Sequence, residues 1–445
     1  MSGPGQERHR TANGGRLRVA LVSQPGQSAL EDHPLGGIPN WDYQIARRLA
    51  PHCDVTVYAG HAGWRIREQM DQGVRYRLVP ARGFVRGLRA LAPLLASPRR
   101  PVHCSPAYGL MYAAGVALDL RRRGCDIVHV HNYSQFIPII RTLNPAAKTV
   151  LHMHCSWLTQ LDPGMVRRRL RATDLVLGVS RYLVEAIARK FPEFESRCRV
   201  IHNGVDLEQF APAEPRTHHS DSLTLVYAGR ISPEKGLHVL LEALRAVVSQ
   251  RSGVRLVIAG GWSSAAPRDF IVDLSQDPVV RDLGRFYQGD YFTHLRRSLA
   301  PQLSSHVTFV GQIPHPELAS LLRRCDLFVH PVVCDEALGN AVREAMAVGL
   351  PVIATYTGGL AESVDDGCTG LLVEPNDATG LAKAILRLAS DGVLRRAMGA
   401  AARQHVSARF SWDRVGDHTL NEYRGLMGRA TGSDRVTWSL EDPVV

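Results

Sequence analysis

With 445 residues, 45% of them hydrophobic and 21% charged, the chain is long enough for two or three domains with full cores and has the composition of an ordinary soluble globular protein. Its eight cysteines are scattered without a Cys-x-x-Cys pair, so neither a zinc site nor a disulfide framework is suggested and a reducing cytoplasm is the simplest location. The net charge of +11 is uneven: residues 1–216 carry 30 Lys and Arg against 17 Asp and Glu, and the remainder 23 against 25. Such an excess suits an anionic partner such as a phospholipid surface or a lipid phosphate, with a solvated Arg-rich surface as the plain alternative. The arginines are not interleaved with exposed-looking aromatics, so no nucleic acid partner is expected.

Residues 1–15 are polar and have no apolar core that would make a signal peptide, so they are expected to form a loose tail. The longest apolar stretch, Leu110 to Leu120, is far too short to span a membrane and contains Asp119. Arg18 to Ser23 reads as a strand ending in a loop with Gly36-Gly37, and a helix is expected from Asn40 as N-cap, with Trp41, Ile45 and Leu49 at helical spacing. Val55 to Ala59 and Val74 to Pro80 read as strands. Gly83 to Ser97 reads as a basic amphipathic helix, either an interfacial anchor or a surface helix packed on its own domain. Further on come a helix at Tyr108 to Arg122, strands at Asp126 to His131, Lys148 to His154 and Asp174 to Val179, and a helix capped by Ser180.

The polar, Pro-bearing stretch 209–222 reads as a linker, after which a second α/β unit starts afresh. Its first strand leads through Arg230 to Ser232-Pro233, which opens a helix at Lys235. Later strands are expected at Arg255 to Gly261, Val307 to Gly311, Asp326 to Val333, Leu350 to Thr355 and Gly370 to Glu374, with helices at 289–303, 315–324, 336–348, 377–390, 392–409 and 412–429. Alternating strands and helices imply parallel sheets covered by helices, so the expected class is α/β with two Rossmann-like domains facing each other across a cleft. The boundaries drawn are a tail at 1–15, a first domain at 16–208, the linker, a second domain at 223–405, helices at 406–430 crossing back to the first domain, and a tail at 431–445.

The chemistry concentrates between Cys334 and Leu371. Glu336 follows a strand's carboxyl end, where open α/β sheets place ligands. Glu344, eight residues on, is expected on the same face of the helix at 336–348. Two carboxylates for hydroxyls beside free helix-start N–H groups for an anion suit a nucleotide sugar. Arg230 and Lys235, at a strand end and a helix start, are two fixed cations able to neutralise a departing diphosphate.

Gly36-Gly37, Asn203-Gly-Val-Asp206, Gly229-Arg230-x4-Lys235-Gly236, Glu336-x7-Glu344-Ala-Met-Ala and Gly358-Gly359-x2-Glu362 with Asp366-Gly367-x-Thr369-Gly370 occur in order. Together they make residues 17–425 resemble a retaining glycosyltransferase of the GT-B fold, family 4. The resemblance implies Arg230 and Lys235 as donor-phosphate ligands, Glu344 on the ribose hydroxyls and Glu336 on the transferred sugar. Leu338-Gly339-Asn340 would present backbone N–H groups, Leu338 standing where the family usually has Phe. Gly36 and Gly37 would let the first domain approach the donor phosphates with no side chain in the way, Gly358-Gly359 would form a tight turn, and Glu362 would support it.

His129, His131, His152 and His154 lie on two strands, yet no carboxylate or thiolate cluster accompanies them at suitable spacing. The family implies no metal, no other cofactor, and one catalytic-site His bonded to the sugar: His154, with His152 as fallback. It also implies transfer on one face, the departing phosphate oxygen drawing the acceptor proton, since no acid in the first half suits a nucleophile. Lys235→Ala is then expected to cut turnover while leaving the fold intact. The expected activity moves a hexose or N-acetylhexosamine from a UDP-sugar, or a GDP-sugar, to a hydroxyl acceptor. Gly289 to Leu295 and its surroundings resemble spore-coat and aminocyclitol-antibiotic transferases, which points to a small secondary-metabolite or cell-envelope acceptor, lipid-linked if the basic half touches the inner membrane face. Rival readings are a non-catalytic sugar-nucleotide-binding protein and a GT-B phosphorylase or epimerase. Release of nucleoside diphosphate only with an acceptor present separates these.

Overall fold

The computed structural model describes residues 15–25, 36–81, 97–212, 222–262 and 266–428. The tails, most of the linker, and all but the last residue of the basic helix expected at Gly83 to Ser97 lie outside them. Buried strands that are apolar on both faces favour parallel pairing with helices on either side, and two sheets form. The first has eight strands in the spatial order Arg67–Asp71, Val74–Pro80, Cys53–His61, Leu17–Val22, Ile127–His131, Lys148–Met153, Leu175–Gly178 and Cys198–Val200. All its neighbours run parallel except the edge strand Arg67–Asp71, which pairs antiparallel with Val74–Pro80. The second has six parallel strands in the order Val307–Gly311, Val254–Ala259, Leu223–Ala228, Leu327–His330, Val352–Thr355 and Gly370–Val373.

Each sheet is covered on both faces by an apolar cluster, and three of the four clusters draw residues from both halves. Trp412, Val415, Leu420 and Tyr423, from the helix Trp412–Leu426, pack with Trp41, Ile45 and Leu49 of the helix Gly37–Leu49 in the first domain. The crossing point is the Asn203-Gly-Val-Asp206 segment. Val205 donates its N–H to the Phe410 carbonyl at 2.7 Å. A Cβ on Gly204 would overlap the Trp412 indole, so only glycine fits there. Leu338 and Leu274 from the second half are buried in the first domain's other cluster. Among the described residues no helix is long and apolar enough to cross a membrane.

Several expected boundaries shift for physical reasons. The helix expected from Asn40 begins at Gly37, with Gly36 as N-cap at φ 105°, because Pro39 fits the first turn of a helix and Asn40 is not needed as its cap. The helix expected at Lys235 is a 3-10 turn, Pro233–Lys235, ended by Gly236 at φ 71° before the helix Leu237–Val248. The helix expected at 336–348 spans only Asn340–Ala347, behind Gly339 at φ 73°.

Trp412 is the largest of the four side chains by which the last helix docks. Trp412→Ala is therefore expected to cost about 3–5 kcal/mol, read as a lowered urea midpoint; a loss below about 1 kcal/mol would show that this helix contributes little to the first domain's core.

Candidate active site

The centre of the site is an ion pair between Lys235 and Glu336, whose side chains are only 14% and 18% exposed. It forms because two loops at the ends of adjacent strands touch backbone to backbone. A Cβ on Gly236 would overlap the Pro331 carbonyl, and Val333 donates its N–H to the Glu234 carbonyl at 2.8 Å. On the other side, Gly359 donates to the Glu336 carbonyl at 2.8 Å, and a Cβ on Gly358, at φ 55°, would overlap that same peptide. The Gly358-Gly359 turn thus positions Glu336 by close approach.

Burial opposes the Lys235 ammonium, but the Glu336 and Glu234 carboxylates more than offset it and hold its pKa above the ordinary lysine value. Burial would likewise raise Glu336, but Lys235 and the nearby His330 hold its carboxyl well below the usual range. Glu234, itself buried, accepts from Ser232 Oγ and from Arg230 Nη2, the latter at 3.1 Å. The Arg230 side chain remains half exposed, so this guanidinium has room to reach a ligand.

Glu336 and Glu344 do not share a helix face. Glu336 lies in the loop before the helix Asn340–Ala347, because Gly339 in the left-handed region starts that helix four residues late. Glu344 instead meets His315, whose Nε2 is 2.8 Å from its Oε1. The two carboxylates therefore have separate partners, Lys235 and His315. Lys235 also proves too buried and too well paired for Lys235→Ala to leave the fold untouched, since that change strands Glu336 without its counter-ion.

Between the carboxylates, Asn340 is held by its oxygen. Asn203 Nδ2 donates to Asn340 Oδ1 at 3.0 Å and Arg343 Nη2 donates to the same atom at 2.8 Å. Its amide nitrogen is then turned toward the first domain, where a Cβ on Gly37 would sit 3.2 Å from Asn340 Nδ2. Gly36 and Gly37 form the N-terminus of the helix Gly37–Leu49, where no side chain among the described residues caps the first-turn N–H groups. Thus Gly37, Asn340, Gly339 and Leu338 come together where the domains meet. Arg343, fully buried over the Phe410 ring, was not singled out from the sequence. Burial pulls its pKa down to about 9.

Glu362 was expected to brace the Gly358-Gly359 turn. It reaches further: its carboxylate accepts the N–H groups of Arg181 and Tyr182 at 2.8 and 2.6 Å, capping the first-domain helix Arg181–Lys190. Two first-turn donors, one exposed and one half-buried, are satisfied across the domain junction.

His154 follows the strand Lys148–Met153 at its carboxyl end, half-buried, with His131 Nδ1 2.9 Å from its Nε2. Burial holds His154, His152 and His129 well below the usual imidazole range, so all three are neutral. The ring nitrogens of His129, His131 and His152 lie within 4.8 Å of one another. Both nitrogens of His131 are nevertheless engaged, one by His154 and one by Asp42. His152 is buried in this cluster, which leaves His154 as the imidazole nearer the surface.

Residues 212–405 match the family model for glycosyl transferases group 1, and residues 35–209 match that for glycosyltransferase family 4. The chain is 30% identical over 332 residues to YtcC of Bacillus subtilis (strain 168), whose name assigns it to the glycosyltransferases; the match covers 71% of this chain and 76% of the relative. It is 26% identical to spore coat protein SA of the same strain, covering 70% of this chain and 81% of that protein. Among solved structures it resembles HepE (Alr3699) of Anabaena in complex with UDP-glucose, with TM-score 0.64 and 19% identity over 92% of this chain and all of that one.

Burial lowers the His315 pKa, but Glu344 beside it wins, with Asp206 adding to the effect, and the imidazole titrates above its ordinary value. A raised folded-state pKa stabilises the fold below about pH 6.5 and loses that stabilisation as pH rises through the folded value. Melting of the wild type should therefore fall relative to His315→Gln between about pH 6 and about pH 8; parallel pH profiles for the two proteins would refute the pairing.

Proposed function

The chain belongs to the glycosyl transferases group 1, with the GT-B arrangement of two facing α/β domains, and on that premise we propose that it moves a hexose or N-acetylhexosamine from a UDP-sugar to a hydroxyl acceptor with retention of configuration. The observation that carries this reading is the buried Lys235–Glu336 pair beside the half-exposed Arg230. An arriving diphosphate offers Lys235 a second anion, and Arg230 can turn from Glu234 to share it. Glu336 is then released to accept hydrogen bonds from the transferred sugar's hydroxyls, as Glu344 does from the ribose.

As the bond from the anomeric carbon to the phosphate oxygen breaks, negative charge grows on the leaving diphosphate, and Arg230, Lys235 and the N–H groups at Gly339-Asn340 and Gly36-Gly37 stabilise it. The acceptor hydroxyl attacks from the same face. Its proton passes to the departing phosphate oxygen, the new glycosidic bond forms, and nucleoside diphosphate leaves. Two side-chain cations supply the charge compensation, so this reading includes no resident metal. The positive excess of residues 1–216 supports an anionic or lipid-linked acceptor, presented at the cytoplasmic face of a membrane.

The test is a panel of UDP- and GDP-sugars read by nucleoside diphosphate release, with the product's anomeric configuration assigned by NMR. Arg230→Gln, which keeps an N–H donor for the buried Glu234, should lower kcat by roughly a hundredfold or more with melting nearly unchanged. Near-normal turnover in that variant, or an inverted product, would overturn the mechanism.

A further inference from the structure

Beneath the cleft, a polar chain runs from the interior of the first domain to His154. Asp42, from the helix Gly37–Leu49, has Oδ1 2.9 Å from His131 Nε2, and His131 Nδ1 is 2.9 Å from His154 Nε2. The side chains of Asp42 and His131 are wholly buried. The His154 ring is fixed from behind as well, since its backbone N–H donates to Asn132 Oδ1 at 2.7 Å. Asn132 takes a left-handed conformation, φ 55°, at the strand end.

Hydrogen-bond capacity gives this chain a direction. An ionised carboxylate only accepts, so the His131 proton sits on Nε2. With Nε2 as the donor to Asp42, His131 Nδ1 is the acceptor of the second contact, which places the His154 proton on Nε2. His154 Nδ1 is left as a lone pair, and no hydrogen bond among the described residues engages it.

We propose that Asp42 and His131 are positioning residues that lock His154 in its Nε2–H tautomer, so that its Nδ1 accepts a hydrogen bond from a hydroxyl of the bound sugar. The inference rests on the transferase reading above for what His154 meets, but not for the tautomer itself. The titratable groups facing the chain are His129 and His152 from the two strands, Tyr76 from Val74–Pro80, Tyr112 from Leu110–Arg123 and Tyr423 from Trp412–Leu426. Burial keeps those imidazoles neutral and raises those phenols. Asp42 is therefore the carboxyl group in direct contact with the imidazole chain, and its acceptor oxygen sets the direction. An Asn here could donate as readily as accept, so the bias would vanish while the shape stayed the same.

The experiment uses the full chain labelled with 15N-histidine, its imidazole nitrogens assigned by comparison with His154→Asn and His131→Asn. Near neutral pH the wild type should show His154 protonated on Nε2 and bare on Nδ1. Asp42→Asn should lower kcat on the best nucleotide sugar at least tenfold while donor KM stays within about threefold, the split expected when an oriented group and not the binding pocket is lost. A wild-type His154 protonated on Nδ1 overturns the proposal, as does an Asp42→Asn enzyme within twofold of wild-type kcat. If no nucleotide sugar is turned over even by the wild type, the function assigned above fails and the tautomer spectrum alone decides the relay. If Asp42→Asn does not fold, that spectrum again decides.

Discussion

Lys235 and Glu336 face a desolvation cost that each offsets for the other, with Glu234 and His330 adding to the effect. Either charge left alone at that depth would be strongly destabilising, and together they hold two loops in a fixed relation. The contact demands glycine on both sides, at Gly236 against Pro331 and at Gly358 against the Glu336 peptide, because no side chain fits where backbones touch. The ligand-free site is thus already charge-compensated. A ligand that carries an anion for the lysine and hydroxyls for the glutamate can replace both halves of the pair at once. An anion alone frees Glu336 with nothing to receive it, and a sugar alone leaves Lys235 unpaired. Under the function proposed above, a diphosphate joined to a sugar meets both demands.

Period and composition made the two sheets legible, since nearly every buried strand is an apolar run bounded by Gly, Pro or Asp. The strand Arg67–Asp71 escaped because all but its last residue is exposed, so it shows no buried face. The site was legible as a set of residues and illegible as a geometry. Arg230, Lys235 and Glu336 stand at strand ends and loop turns and Glu344 lies within the helix Asn340–Ala347, but periodicity alone placed both carboxylates on one helix. Gly339 breaks that helix by taking a left-handed conformation, a property visible in the sequence only as one glycine among 39. His315 and Arg343 could not be found from local pattern at all. Their roles come from contacts with Glu344 and Asn340, and the His315 contact spans 29 residues of chain.

The donor loop belongs physically to both domains. Leu338 lies in the first domain's apolar cluster, Asn340 shares its oxygen with Asn203, and Glu362 caps a first-domain helix. Each link is of a different kind, namely apolar burial, a neutral hydrogen bond and a charge on a helix N-terminus, and each is satisfied only when the domains are closed. Opening the cleft would expose Leu338, strand the Arg181 and Tyr182 N–H groups, and release the Asn340 amide from Asn203. Closure and the orientation of the Leu338-Gly339-Asn340 segment are therefore one event. The same closure brings Gly37 to the Asn340 amide. The groups that the proposed function brings to one diphosphate thus come from opposite domains and are held together by these same contacts.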